Sequence, residues 1–175
     1  MPPGETVFMP MTEAQRFRRY VKDTLTPVSL VTSAVVAGIG QWEDHPKEWG
    51  QGAEGFGRRY ASAYAEHVVR ETLIFGASSA LHEDNRYIRS GQSGFGARLR
   101  YAIESTFLAR RDDGSRCFSF SRVGGFAGAA VISRLWQPPS TGGAGSAAGN
   151  FASSMGVAVG FNVAREFLPS LLHRK

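Results

Sequence analysis

Near the C-terminal end the chain strips itself of side chains at every fourth position: Ala148, Ala152, Gly156, Gly160 and Ala164. On an α-helix that spacing lines the residues along one face. Such a face lets another backbone approach closely, while Phe151, Met155, Val159 and Asn162 fall on the opposite side. The surrounding stretch, from Gly142 to Leu172, therefore reads as a packing helix, running from about Ser146 to Phe167 and stopping before Pro169. Two further segments carry small residues at similar spacing: Ser33 to Gly40, and Val123 to Trp136 with Gly124 and Gly128 in line. Mutual packing of these three segments is the sharpest structural expectation, and it predicts that Gly156→Leu disrupts the fold by overpacking.

The rest of the chain reads as mainly α. Thr12 and Gln15 form a capping box for a helix from about Glu13 to Asp23, with Phe17, Tyr20 and Val21 on one face and Arg16, Arg18, Arg19 and Lys22 elsewhere. This short basic amphipathic helix either docks on the core or lies on an anionic membrane surface. Thr24 to Trp42 has no charged residue. Thr26 and Pro27 suit N-cap and N1 positions, and a helix from Pro27 to Gln41 would measure about 22 Å. The hydrocarbon core of a bilayer is about 30 Å thick, so the segment reads as a buried core helix, with a half-inserted membrane helix as the alternative. A third helix should run from about Phe56 or Arg58 to Ala80, and residues 98–106 read as a helix or an extended lead. Asp113-Gly114 is a strong turn signal inside residues 107–121, which fit a β-hairpin. The expected architecture is a bundle of about five helices with one short hairpin, in a single domain over residues 12–175 after an extended lead of residues 1–11.

Chemistry is harder to find. Gly52, Gly55 and Gly57 make a glycine-rich loop, but no strand precedes it and no lysine follows, so the phosphate-binding signal is weak. His67 and Glu71 lie one turn apart on a helix and could hold a metal or a proton, or pair with each other or with Arg70. The densest polar cluster is LHEDNRYIRSG, residues 81–91. If the chain has a site, His82, Asp84 and Tyr87 are its candidates, a His beside a carboxylate being the usual acid–base arrangement. The same cluster also reads as a helix-ending loop held by local turns. Arg58, Arg59, Arg86 and Arg89 are the candidates for binding an anion. No metal site and no cofactor motif is legible, and Cys117, the single cysteine, reads as a small packed residue.

The charge of +5 at pH 7 makes an anionic partner plausible. The basic residues are nearly all Arg and are spread along the chain, with Lys22, Lys47 and Lys175 the only lysines. That pattern reads as solvated arginine, and without a dense basic run interleaved with aromatics it argues against nucleic acid. Residues 1–11 have no basic segment followed by an apolar one, so no signal peptide is read. The chain is then expected to be either cytoplasmic or a mature or trimmed form with Met1 added.

GQGAEGFGRRYASAYA, LHEDNRY and the ending GFNVAREFLPSLLHRK resemble a family of uncharacterised acidobacterial-type envelope proteins, over most of the chain after about Phe17. That family shows a GFGKRYG-like turn, an LHQDPRY-like segment and a KEFWP-like ending; here Glu83 replaces Gln, Asn85 replaces Pro and Leu168 replaces Trp. The resemblance implies an envelope setting and no particular chemistry. Together these readings predict a non-catalytic, membrane- or envelope-associated helical protein that packs or oligomerises with itself or another envelope protein, with an anionic lipid surface as a further partner. The alternatives are a small hydrolase of lipid or cell-wall material using His82, Asp84 and Tyr87, and binding of an anionic polymer through arginine. A mean hydropathy of −0.20 argues against a multispan lipid-immersed chain.

Overall fold

The computed structural model describes residues 8–172. Most of the extended lead and the basic tail at residues 173–175 therefore lie outside the described residues. Six α-helices follow in order: α1 Glu13–Thr24, α2 Pro27–Trp42, α3 Gly52–Leu81, α4 Phe95–Phe107, α5 Phe120–Ile132 and α6 Ala144–Leu172. The hairpin strands β1 Leu108–Arg110 and β2 Arg116–Phe118 stand between α4 and α5. The mainly helical bundle with one antiparallel hairpin is thus as the sequence predicts, with residues 95–107 resolved into a full helix.

Local chemistry explains the boundaries. The capping box at α1 is complete, Thr12 N–H donating to Gln15 Oε1 (3.0 Å) and Gln15 N–H to Thr12 Oγ1 (3.3 Å). Pro27 opens α2, where its missing N–H is not needed. In the hairpin Ala109 pairs with Cys117, and Gly114 takes φ +82° at the turn. α6 passes through Pro169 instead of stopping before it. Only the last turn is affected, and there the Arg98 guanidinium donates to the Glu166 carbonyl and to Ser170 Oγ.

α3 is the axis of the fold. α2 runs antiparallel to it, the Tyr64 hydroxyl reaching Thr24 at one end and Gln41 meeting Gln51 and Gly52 at the other. α5 is also antiparallel to α3, with Gly125 against Arg70 and Ile74, Gly128 against Leu73, and Trp136 Nε1–H donating to Ser62 Oγ. α6 lies along α4, where Asn162 meets Thr106 and Arg98 meets Glu166, and it touches α3 through Asn150 and Glu66.

The expected mutual packing of all three small-residue segments does not form: α5 and α6 are neighbours, but α2 packs on α3 and the small-residue stripe of α6 faces outward. α2 buries Ser29, Ser33 and Ala37 against α3, and α5 buries Gly125, Ala129 and Ala130. Gly128 packs on α3, but an atom added at Gly124 would meet nothing within 4 Å. On α6 the bulky side is the inner one: Met155, Asn162 and Glu166 are buried, while Ala148, Ala152, Gly156, Gly160 and Ala164 are all exposed. A side chain at Gly156 or Gly160 would meet nothing within 4 Å, so Gly156→Leu does not overpack this fold. Burying large apolar and hydrogen-bonding side chains stabilises more than burying methyls, and that preference decided which face of α6 turned inward.

Candidate functional site

The polar cluster after α3 is bonded inward, and each of its members has a different structural task. His82 ends α3 in a left-handed conformation (φ +53°). Its imidazole is exposed and its Nδ1 lies 3.0 Å from Asp112 Oδ2. Glu83 is 4 % exposed and turns back under α5. Its carboxylate accepts from Phe120 N–H (3.1 Å) and Ser121 N–H (2.9 Å), capping that helix with a full negative charge where the backbone amides have no partners. Asp84 is 2 % exposed. Its backbone bridges to Arg110, and its carboxylate accepts from Arg86 Nε at 2.8 and 3.0 Å. Asn85 accepts from Ser119 Oγ and donates to Ser121 Oγ. Tyr87 donates to Glu166 Oε2 at 2.7 Å.

Glu166 is the centre of a second knot. Ser90 Oγ (2.6 Å) and Arg98 Nε (3.1 Å) donate to its Oε1, and Tyr87 and Ser90 N–H to its Oε2. Burial works to raise its carboxyl pKa. The hydrogen bonds from Ser90 and Tyr87, with those from the Ser90 amide and Arg98, outweigh burial and hold it down at about 2. The same environment pushes the Tyr87 phenol up, through burial first and then its bond to Glu166. A phenol that resists ionisation and a carboxylate with every oxygen occupied make a clamp between α4, α6 and the loop after α3. Neither is poised to move a proton at neutral pH.

The structure therefore separates the sequence-derived candidates. His82 faces Asp112, Asp84 faces Arg86, and Tyr87 faces Glu166. His67 belongs elsewhere: its Nε2 lies 3.2 Å from the Asp23 carbonyl at the end of α1, and Arg70 Nη2 donates to its Nδ1 at 2.6 Å. Glu71 Oε1 is 3.8 Å from the same Nδ1. A carbonyl can only accept, so His67 carries its proton on Nε2 and is neutral; burial, followed by the Arg70 charge, lowers its pKa. His67 and His82 touch different partners and share no cleft.

The arginines also sort differently from the sequence expectation of solvated charges. Arg59, 4 % exposed, is a buried hub. It donates to the carbonyls of His45, Pro46 and Gly50 and to Gln41 Oε1. It fills the space left open at Gly55, where a side chain atom would lie 2.9 Å from Arg59 Nη1. Gly52, Gly55 and Gly57 thus fall inside the first turns of α3, where the sequence suggested a phosphate loop, and the carbonyls of His45, Pro46 and Gly50 ahead of it hold the chain's own guanidinium. Arg16 does the same for the end of α3, donating to the Ser78 and Glu83 carbonyls. Arg122 does so for the end of α4, donating to Ser105 and Thr106 as well as to Asn85; burial lowers its pKa to about 10. Helix C-termini leave carbonyls unpaired, and these arginines supply the missing donors. Of the anion-binding candidates, Arg59 is enclosed and Arg86 is paired with Asp84, leaving Arg58, which is bonded to Glu54, and Arg89 at the surface. Arg16, Glu83, Arg98, Arg122 and Glu166 were not singled out from sequence. Their long-range partners are 16 to 79 residues away, so no local pattern marks them.

What the fold leaves open is apolar. α2 carries Val28, Leu30, Val31, Val35, Val36, Ile39 and Trp42 outward, Trp42 at 87 % exposure, over its inner row of Ser29, Ser33 and Ala37. This inverts the usual order of a helix in water, where bulky apolar groups go in and hydroxyls out. α5 continues the pattern with exposed Phe120 and Val131, and α6 with Val157 and Phe161 beside its small-residue stripe. The run Glu13–Trp42 is long and apolar enough, by length and composition alone, to cross a membrane, its most apolar 18-residue window having a mean hydropathy of 1.3. It is divided into α1 and α2 at Leu25 and Thr26. Comparison with family models, with characterised proteins and with solved structures found no match.

Proposed function

We propose that this chain is a non-catalytic helical protein of a membrane or envelope, which assembles through the apolar and small-residue faces its own fold leaves uncovered. One observation carries the reading: on α2 the hydroxyl and methyl side chains are inside and the Val, Leu, Ile and Trp side chains are outside. An exposed apolar surface contiguous along a whole helix is costly in water and marks an interaction surface. The exposed row Ala148, Ala152, Gly156, Gly160 and Ala164 supports close helix–helix approach between copies or with another envelope protein. The resemblance of LHEDNRY and its companion segments to envelope proteins agrees with this setting. The internal bonding of Asp84, Tyr87 and Glu166 gives the hydrolase alternative little to work with, and the enclosure of Arg59 weakens the anionic-polymer alternative.

Detergent phase separation combined with sizing tests the reading. The chain is expected in the detergent-rich phase, and its size without detergent should exceed that of one chain. A monodisperse single chain that stays wholly in the aqueous phase would overturn it.

A further inference from the structure

The α2 ridge does not end where α2 begins. Phe17 and Val21 are exposed on α1, Leu25 is 63 % exposed at the junction, and Val28, Val31, Val35, Ile39 and Trp42 follow at spacings of three, four, four and three. The two helices thus present one apolar strip. Its α1 end is flanked by exposed Arg18 and Lys22. The acidic groups on α1 are already engaged, Asp23 by Arg19 at 3.1 Å and Glu13 by Arg16 at 3.5 Å. At its α1 end the strip therefore meets its partner with an uncompensated positive flank, while exposed Glu43 follows Trp42 at the other end. No charged residue occurs from Thr24 to Trp42.

We propose that this α1–α2 strip docks in the plane of an anionic phospholipid surface, seating the outer row of α2 at the boundary between headgroups and acyl chains. The proposal rests on the membrane reading above and names its partner and orientation. Three observations carry it. First, α2 has 16 residues, about 24 Å, and falls short of the roughly 30 Å of a hydrocarbon core. Its inner row is packed against α3, so it meets a membrane sideways. Second, the outer row is aliphatic up to Trp42, offering no array of polar groups to fix the register of a protein partner; a fluid lipid surface needs none, and an indole at the end of the strip suits the headgroup boundary. Third, exposed Arg18 and Lys22 beside Phe17 and Val21 are the composition of an interfacial helix, whose basic groups attract anionic headgroups while its apolar groups insert.

The test uses the full chain with Cys117→Ser and Val35→Cys, carrying an environment-sensitive fluorophore at position 35. It is mixed with vesicles of phosphatidylcholine alone, or of equal parts phosphatidylcholine and phosphatidylglycerol. Blue-shifted emission on the anionic vesicles, quenched better by shallow than by chain-terminal bromines, is expected. Arg18→Gln with Lys22→Gln should weaken that binding about 30-fold, at the usual contribution of a basic residue near an anionic surface. Val31→Glu points outward, so it should abolish insertion with the helical circular dichroism unchanged. Equal binding to both vesicle types would overturn the anionic assignment, and quenching strongest from chain-terminal bromines would overturn the in-plane orientation. A blue shift that grows with protein concentration and ignores vesicles would overturn lipid as the partner and assign the strip to a second copy, leaving the assembly reading in place.

Discussion

Gly125→Ala probes how closely α5 sits on α3. The added methyl group would fall inside van der Waals contact with Ile74 Cγ1, and it would lie 3.2 Å from the Ile74 amide nitrogen and 3.3 Å from the Arg70 carbonyl oxygen. Two of those three neighbours are helix backbone, which cannot rotate away. The strain therefore belongs at the upper end of the overpacking range, about 3 kcal/mol. Replacing glycine inside a helix returns about 1 kcal/mol in propensity. The net is a destabilisation of about 2 kcal/mol, or about 4–8 °C in Tm for a chain of this size. Gly124→Ala is the control one residue away: its methyl meets nothing within 4 Å, so only the propensity gain remains, up to about 1 kcal/mol. Urea unfolding of both variants gives the midpoints and slopes that separate stability from changes in the unfolded chain. A Gly125→Ala midpoint at or above that of Gly124→Ala would refute the close approach. Gly156→Leu, whose added atoms also start in open space, should not destabilise the fold, gaining up to about 1 kcal/mol from helix propensity, and should otherwise change only assembly.

Glu166 is held at about 2 in the folded chain against an ordinary 4.5, so its contribution is present above pH 4.5 and is lost as pH falls toward 2; Glu166→Gln should flatten the urea midpoint over that window. His67 is kept neutral, with a lowered pKa. The unfolded chain then takes up the proton first as pH falls below about 6.5, and stability declines from there; His67→Gln should remove that slope. Arg59→Met leaves the buried Pro46 carbonyl, the part-buried His45 and Gly50 carbonyls and Gln41 Oε1 without their donor. Each unsatisfied group costs about 1–3 kcal/mol, and limited proteolysis should then cut within residues 43–51.

The legible parts of this fold were those set by neighbours in sequence. Thr12 with Gln15 fixed the start of α1, Pro27 opened α2, and Asp113-Gly114 closed the hairpin, because caps and turns are bonded over two to four residues. The small-residue spacing on α6 was equally plain, yet it could not say which side of the helix faces in. That choice depended on Asn150 finding Glu66, Asn162 finding Thr106, and Glu166 finding Tyr87, Ser90 and Arg98. The cluster at residues 81–91 was visible as chemistry-bearing side chains. Only the approach of Ser119 to Ser121 and of α6 turned it into the cap of one helix and the clamp of another.

The sequence by itself thus determined that the chain is helical, where α1 and α2 begin, and that three helices carry faces nearly bare of side chains. Tertiary structure alone decided what those faces do. α2 and α5 spend theirs on α3, where close approach buries backbone against backbone. α6 turns its bare face outward, because the buried partners of its other face bond and fill more than methyl groups can. A periodic pattern specifies that two sides of a helix differ, but the interior side is chosen by distant residues that supply hydrogen bonds and contacts there.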